Sequence, residues 1–564
     1  MISDKIIYNG RIHTENPNLP EAEAIVIEGK NIIFVGSNEE ALKRKGSNTE
    51  MIDLGGKTVL PGIIDGHSHP SNVSKTYWHV FGKMVKDKDE LLANIKAAAE
   101  ANPKETTPFF YYEGYYAETF GAEGPNHKDL DEILPDRPAR IQEFSDHACW
   151  YNKVALDMMR DKNGVPQANS PIGKPEFIKD QDGDYTGYCL ENSCDDPEIY
   201  EAVGWHPDVK ATEQSVGPLL DFMKQHGVMC IMDGFTDGEE DMKFFYEYDK
   251  AGKLGLFYDA TSILSDVADL DECIATLRHW QENYSSDHIR CNTVKFFLDG
   301  NNEMGDMLSV EPFRNDPSGE YYGQSYATLE EMIEVIVRLN EEKIDFHVHC
   351  VCDGSVRRMC DAVEKAQELC GDSWCIRVTL THCLLIHPDD RKRFAELGIY
   401  IDYTPHWSGG YLGIASKEFL GEERVNSMYD FREVIESGGM VGFSSDIYSY
   451  GEANRGNPFM GMQIGMTRVD PEFPVDPKSY PDSEYPPAHA KLTLEELIHG
   501  YTINNAIRMR VDDIMGSIEK GKLANLIVMD EDPFTTPPEK FRHIKIDRTF
   551  FEGVKRQITS TIEE

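Results

Sequence analysis

The strongest chemical signal in the chain is Asp65-Gly66-His67-Ser68-His69-Pro70, directly after the apolar run TVLPGII. On a β-strand, residues i and i+2 face the same way, so His67 and His69 can hold one metal ion from one side. A bare HxH pair also arises by chance. Its place at the end of an apolar run gives it weight, because barrel active sites sit at C-terminal strand ends. Three more positions share that context: His349 closes the run DFHVHC, His382 closes RVTLTHC, and Asp446 closes MVGFSSD. His347 lies on the strand and face of His349 and competes for its role. Any one of these is readily a satisfied core histidine or a helix-capping aspartate. All of them at strand ends together read as one ligand set for a divalent metal. Imidazole and carboxylate suit zinc, and also accept manganese, iron or cobalt.

Lys295 stands inside the apolar run TVKFFLDG, where a bare ammonium is costly to desolvate. Two readings stay open: a buried ion pair with Asp299, or a lysine capped by CO2 as a carbamate that bridges two metals. The aromatics Tyr111, Tyr112, Tyr115 and Tyr116, with Trp78 and Trp407, either line an apolar pocket or pack the core.

Positioning these residues requires strands that end at one mouth. Short apolar runs such as GVMCIMDG, IRCNTVKFFLDG, IDFHVHC and IYIDYTP alternate with amphipathic stretches such as ATLEEMIEVIVRLNEEK. That rhythm implies an α/β fold with a parallel sheet, and eight such units close a (β/α)8 TIM-type barrel, here over residues 59–512. Residues 71–225 contain a Pro-, Gly- and aromatic-rich stretch that fits the rhythm poorly and reads as a long insertion after the first barrel strand. Both ends of the chain carry β-rich runs broken by turn signals, including Asn9-Gly10 and LANLIVMD. Residues 1–58 and 513–564 are therefore expected to build one small β-sandwich.

Composition sets the outer bounds. The 564 residues are 40% hydrophobic and 27% charged, as in a globular protein with a water-facing surface. The formal net charge of −43 excludes nucleic acid as a partner, since phosphates would be repelled. Spread over the surface, it reads first as a solubility device. No run is apolar enough to span a bilayer, and MISDKIIYNGRI lacks the regions of a signal peptide. Twelve cysteines show no disulfide-framework spacing, so reduced thiols and a cytoplasmic location are expected.

The blocks VLPGIIDGHSHP, ARIQEFSDHACWYNKVAL, GDYTGYCLEN, TVKFFLDG, VTLTHC, LTLEELIHGYTINNA and GSIEKGKLANLIVMDEDP carry a resemblance that runs nearly end to end. The chain resembles family 3 of the amidohydrolase superfamily, the N-substituted formamide deformylase-like metal-dependent hydrolases. The resemblance implies His67 and His69 on one metal, His349 and His382 on another, carboxylated Lys295 between them, and Asp446 on the first. One or two ions per chain, zinc by preference, follow from it. It also implies Asp446 and His147 as catalytic groups, Tyr115, Glu191, His406 and Arg468 at the substrate, and a homo-oligomer such as a dimer. Two blocks depart from the family pattern. The histidine–x–x–glycine–aspartate after strand five reads His349-Cys350-Val351-Cys352-Asp353-Gly354, and the glutamate–histidine of strand six reads Thr381-His382. The implied reaction is hydrolysis of a C–N bond in an amide, formamide or cyclic amide of a small molecule. Ester hydrolysis, deamination or decarboxylation on the same site, or a non-catalytic regulator, are the alternatives.

Overall fold

The computed structural model describes residues 4–116, 119–120, 124–143, 147–168, 175–190, 196–207, 210–302, 305–410, 413–414, 416–557, 560 and 562. Eight strands form one sheet in sequence order. They are β1 (Ile63–Ser68), β2 (Val228–Asp233), β3 (Phe257–Leu264), β4 (Ile289–Phe297), β5 (Asp345–Cys350), β6 (Val378–His382), β7 (Tyr400–Tyr403) and β8 (Met440–Phe443). Every ladder between neighbours is parallel. Strands buried on both faces must be apolar nearly throughout, which is why these segments read as continuous runs rather than alternations. Every residue of β1, β2, β5 and β6 is buried. The helix Leu329–Glu342 that precedes β5 shows the local logic. Thr328 and Glu331 form a reciprocal capping box at its start, and Met332, Val335, Ile336 and Leu339 bury one face.

β1 and β8 lie side by side, and a side chain spans the seam between them. The Asn505 amide donates to the carbonyls of Ile64 and Phe443 at 2.8 and 2.7 Å. A backbone bond from Asp446 N to His67 O, 2.8 Å, continues the seam at the mouth. Asn505→Ala leaves both buried carbonyls without that donor and is expected to cost about 3 kcal/mol. Urea unfolding of the metal-free protein checks this, and an unshifted midpoint would show that the seam holds without the amide.

The two ends of the chain meet in a second, six-stranded sheet ordered Val554–Arg556, Ile546–Phe551, Leu526–Met529, Thr58–Pro61, Arg11–His13, Glu21–Ala22. A four-stranded sheet of Asn31–Gly36, Ala24–Glu28, Lys5–Tyr8 and Glu50–Asp53 accompanies it. Ile7, Ile25 and Ile27 from the latter share one buried cluster with Val59, Leu526, Val528 and Phe550 from the former. That shared cluster packs the N- and C-terminal segments against each other.

Between β1 and β2 the chain builds a further six-stranded mixed sheet, from Val80–Val85 through Tyr185–Leu190. Its first three strands alternate with the helices Lys88–Ala101 and His127–Ile133 and pair parallel, after which the pairing turns antiparallel and the βα rhythm of the sequence breaks. Tyr112 and Tyr115 join one buried cluster with Phe110 and Trp150, while Tyr111 joins Phe109, Tyr200 and Trp78 in another. These aromatics pack the insertion. Among the described residues no helix is long and apolar enough to cross a membrane. Every cysteine among them is a free thiol.

Candidate metal centre

Four of the residues picked from the sequence converge at the C-terminal mouth of the barrel. The Nε2 atoms of His67 and His69 lie 3.3 and 3.1 Å from Asp446 Oδ1, and His382 Nδ1 lies 3.5 Å from Asp446 Oδ2. His67, His382 and Asp446 each offer one donor atom, all within 4.8 Å of one another. Two of these residues hold backbone conformations that L-residues avoid: φ is 78° at His382 and 49° at Asp446. Both sit just past or at a strand end, where a left-handed residue redirects a side chain over the barrel mouth. Strain of this kind concentrates at functional sites. His67 packs against Gly234, where any Cβ would overlap its ring.

β5 contributes two inward histidines at different depths. His349 lies at the rim, its ring 4.6 Å from that of His382 and its Nε2 3.2 Å from the Gly300 carbonyl. His347 lies one layer below, stacked on His67 at 4.8 Å, with its Nε2 3.0 Å from His67 Nδ1. His67 thus turns one nitrogen to Asp446 and has the other fixed by His347, the arrangement that orients a ligating imidazole. Burial first, then the nearby Lys295, lowers the pKa of His67, His347 and His349 well below the ordinary value; for His382 burial is followed by His349. All four are neutral imidazoles at pH 7, the form that binds metal.

Beneath them runs a buried ion pair. Arg508 donates to Asp402 at 2.9 Å and to the Gly66 carbonyl at 2.7 Å, and its Nη1 lies 3.5 Å from His347 Nδ1. Asp402 also accepts from Ser444 at 2.8 Å. Gly66 is required here, since a Cβ would overlap both Arg508 and Asp402. Asp65 accepts from Ser445 N at 3.0 Å, and burial pushes its carboxyl up to about 7.

Lys295 pairs in register with His347 and is fully buried, and its Nζ has no hydrogen-bond partner. The ring of Phe297 lies 4.8 Å away. Burial brings the amine down to about 7. The ion pair with Asp299 does not form. Asp299 accepts instead from the backbone of Val351, Cys352 and Leu308 at 2.9, 3.3 and 3.1 Å.

The remaining candidates divide. His147 is close enough to His349 for its charge to lower the latter's pKa. His406 is buried in the turn after β7, and its neighbour Trp407 stacks on His382 at 5.0 Å. Tyr115 is buried against Phe120 in the insertion, its hydroxyl without a hydrogen-bond partner. Glu191 lies outside the described residues. Arg468 is not at the centre. Its guanidinium donates to the carbonyls of Tyr485, Tyr429, Met428 and Pro486, which fixes it as a clamp between those two chain segments. Sequence reasoning missed Asp402 and Arg508. Asp402 carried the same signal as Lys295, a lone charge inside the apolar run IYIDYTP. Arg508 carried none, because it arrives from a helix beyond the last barrel strand.

The chain is 24% identical over 568 residues to an N-substituted formamide deformylase of Arthrobacter pascens, covering 98% of both chains. It is 24% identical over 438 residues to the exoenzymes regulatory protein AepA of Pectobacterium carotovorum subsp. carotovorum, covering 76% of this chain and 91% of that one. The crystal structure of an uncharacterized metal-dependent hydrolase from Pyrococcus furiosus shares the fold, with a TM-score of 0.65 at 23% identity over 95% of this chain and 100% of that one. Residues 50–555 match the family described as the amidohydrolase family, Amidohydro_3. The chain belongs to the amidohydrolase family.

Proposed function

We propose that this protein is a metal-dependent hydrolase that cleaves the C–N bond of an amide or formamide in a small molecule. The observation that carries this reading is the convergence of His67, His69 and His382 on Asp446, above a buried lysine that has no partner. Neutral imidazoles and a carboxylate suit a divalent ion, zinc first. An unpartnered buried amine is the group that a carbamate would explain. On this reading His67, His69 and Asp446 would hold one ion and His349 and His382 a second, with carboxylated Lys295 supplying a further carboxylate ligand. A divalent ion bound there would supply Lewis acidity and acidify water near neutral pH.

The chain's own residues account for the rest. Asp446 takes the proton of the attacking water and delivers it to the leaving amine, a base and then an acid. His147, beside His349, donates to the oxygen on which negative charge develops. Trp407 covers the His382 face and excludes water from it. The deformylase relative supports a C–N bond as the target. The regulatory name of AepA favours a second reading, a binding protein that keeps the fold, but a binding protein has no use for strained donor residues. Free thiols suit a reducing compartment, and we assign the protein to the cytoplasm.

A panel of N-formyl, N-acyl and cyclic amides, offered to the metal-loaded protein, tests the proposal through release of free amine. We expect turnover of at least one class, abolished by chelator and restored by zinc. A protein that binds metal but hydrolyses none of them would overturn the amide reading.

A further inference from the structure

The loop that begins at Asp446 is tied down residue by residue. Asp446 N donates to the His67 carbonyl and His69 N to the Ile447 carbonyl, both at 2.8 Å. Asn72 donates to the Tyr448 carbonyl at 2.7 Å, and Tyr450 N donates to Thr76 Oγ1 at 2.7 Å. These four partners lie in β1, at His69, or in the helix Pro70–Thr76 that His69 heads. The fifth tie comes from a separate part of the fold. Ser449 Oγ donates to Oε2 of Glu113, a residue of the insertion strand Phe110–Tyr115. The other carboxylate oxygen, Oε1, is bonded to His79 Nδ1. That imidazole stacks on Tyr111 at 3.7 Å, and the Arg140 guanidinium lies 4.8 Å from the Tyr111 ring. Arg140 is fully buried and pairs with Asp196 at 2.9 Å, so this chain of contacts ends in the core of the insertion.

Backbone shape aims Glu113 at the loop. Its strand changes register against both neighbours between Glu113 and Tyr115, and Gly114 between them has a φ of 133°. A bulge of this kind re-aims the side chain beside it. The loop in turn needs restraint, because Asp446 at its head holds a φ of 49°. Such a residue keeps its conformation only where its surroundings over-determine it. Ser449 lies three positions beyond Asp446, so loosening it shifts the carboxylate without removing a ligand.

We propose that Glu113 is a positioning residue: by holding Ser449 it fixes the loop that carries Asp446, and so makes the insertion a working part of the metal centre. This rests on the reading of Asp446 as a metal ligand and proton carrier. His79 and the ring beneath it keep the Glu113 carboxylate from following the loop when the loop moves.

Ser449→Ala deletes only the hydroxyl of this tie, and Glu113→Ala deletes its acceptor. Zinc affinity, read by competition with a chromophoric chelator, is expected to fall about 10–100-fold in each, the range for partners that orient a metal's ligands. Because both substitutions cut one bond, the double variant should lose no more than about twofold beyond the weaker-binding single variant. Glu113→Gln should stay within about threefold of the parent, since its oxygen accepts from Ser449 and its amide donates to His79. On an amide that the protein hydrolyses, Ser449→Ala should lower kcat while KM stays within about twofold. Losses that multiply in the double variant, or single variants that bind zinc as the parent does, would overturn the role of Glu113 and leave the hydrolase reading standing. If the parent binds no zinc, amide hydrogen exchange in the metal-free proteins decides. Exchange at residues 446–450 that is faster by at least about fivefold in Ser449→Ala, with Met440–Phe443 unchanged, upholds the brace while the reading of the centre falls alone. Equal exchange in both proteins overturns it.

Discussion

Asp446→Asn is expected to lower turnover by about 10³-fold, the range that one positioned acid–base group contributes. Asparagine is the informative replacement. It keeps the size of the side chain and tolerates the left-handed backbone at this position, where φ is 49°, better than other residues. The fold should therefore survive, with an unchanged melting temperature in the metal-free protein. What is lost is a carboxylate whose two oxygens face three imidazoles, Oδ1 toward His67 and His69 and Oδ2 toward His382. An amide neither takes a proton from water nor returns one to an amine. A variant that keeps kcat within tenfold of the parent would remove Asp446 from the proton path.

Lys295→Ala is expected to strip most of the metal and, with it, most of the activity. The loss of an outer-sphere partner alone costs about 10–100-fold in affinity or activity, so loss of a bridging group should cost at least about 100-fold. The lysine has no structural task to explain its presence. It is fully buried with a free Nζ, and Asp299, its one sequence-level partner, is occupied by three backbone amides. With its pKa lowered to about 7 by burial, a large share of the side chain is neutral amine at pH 7–8. The neutral nitrogen attacks the carbon of CO2, a N–C bond forms, and one proton leaves to solvent. Acetate or bicarbonate should enter the space left by alanine and partly restore both metal and turnover. Because the substitution removes a costly buried amine, stability should not fall, and this separates lost function from lost folding. Full metal content and activity in Lys295→Ala would end the bridging role and leave a mononuclear site on His67, His69 and Asp446.

The parts of this centre that were legible in the sequence share one property: each ends an apolar run. A polar residue at the end of a buried strand must either be satisfied or do chemistry, and His67, His69, His382 and Asp446 were visible for that reason. The choice between His347 and His349 was not open to sequence reasoning. Both lie on one face of one strand, and only depth in the barrel separates them, which depends on strand register and tilt. The structure uses both, one to hold His67 and one at the rim. Arg508 and Asp402 were hidden because their pairing joins residues 106 positions apart. Arg468 misled in the opposite direction. It falls in a block that matches the family, but its donors serve four backbone carbonyls. The barrel itself was readable from its βα rhythm, whereas the insertion, whose sheet turns from parallel to antiparallel pairing partway along, offered no single period to count.

The central claim is that these residues form a metal centre, and the metal content of protein purified without chelator tests it most directly. The account predicts roughly one to two equivalents of a divalent transition metal per chain. It also predicts near-complete loss of that metal in a folded His67→Ala/His382→Ala variant purified in the same way. Parent protein that hydrolyses its amide with no metal bound, or a variant that retains the parent's full complement, would contradict it.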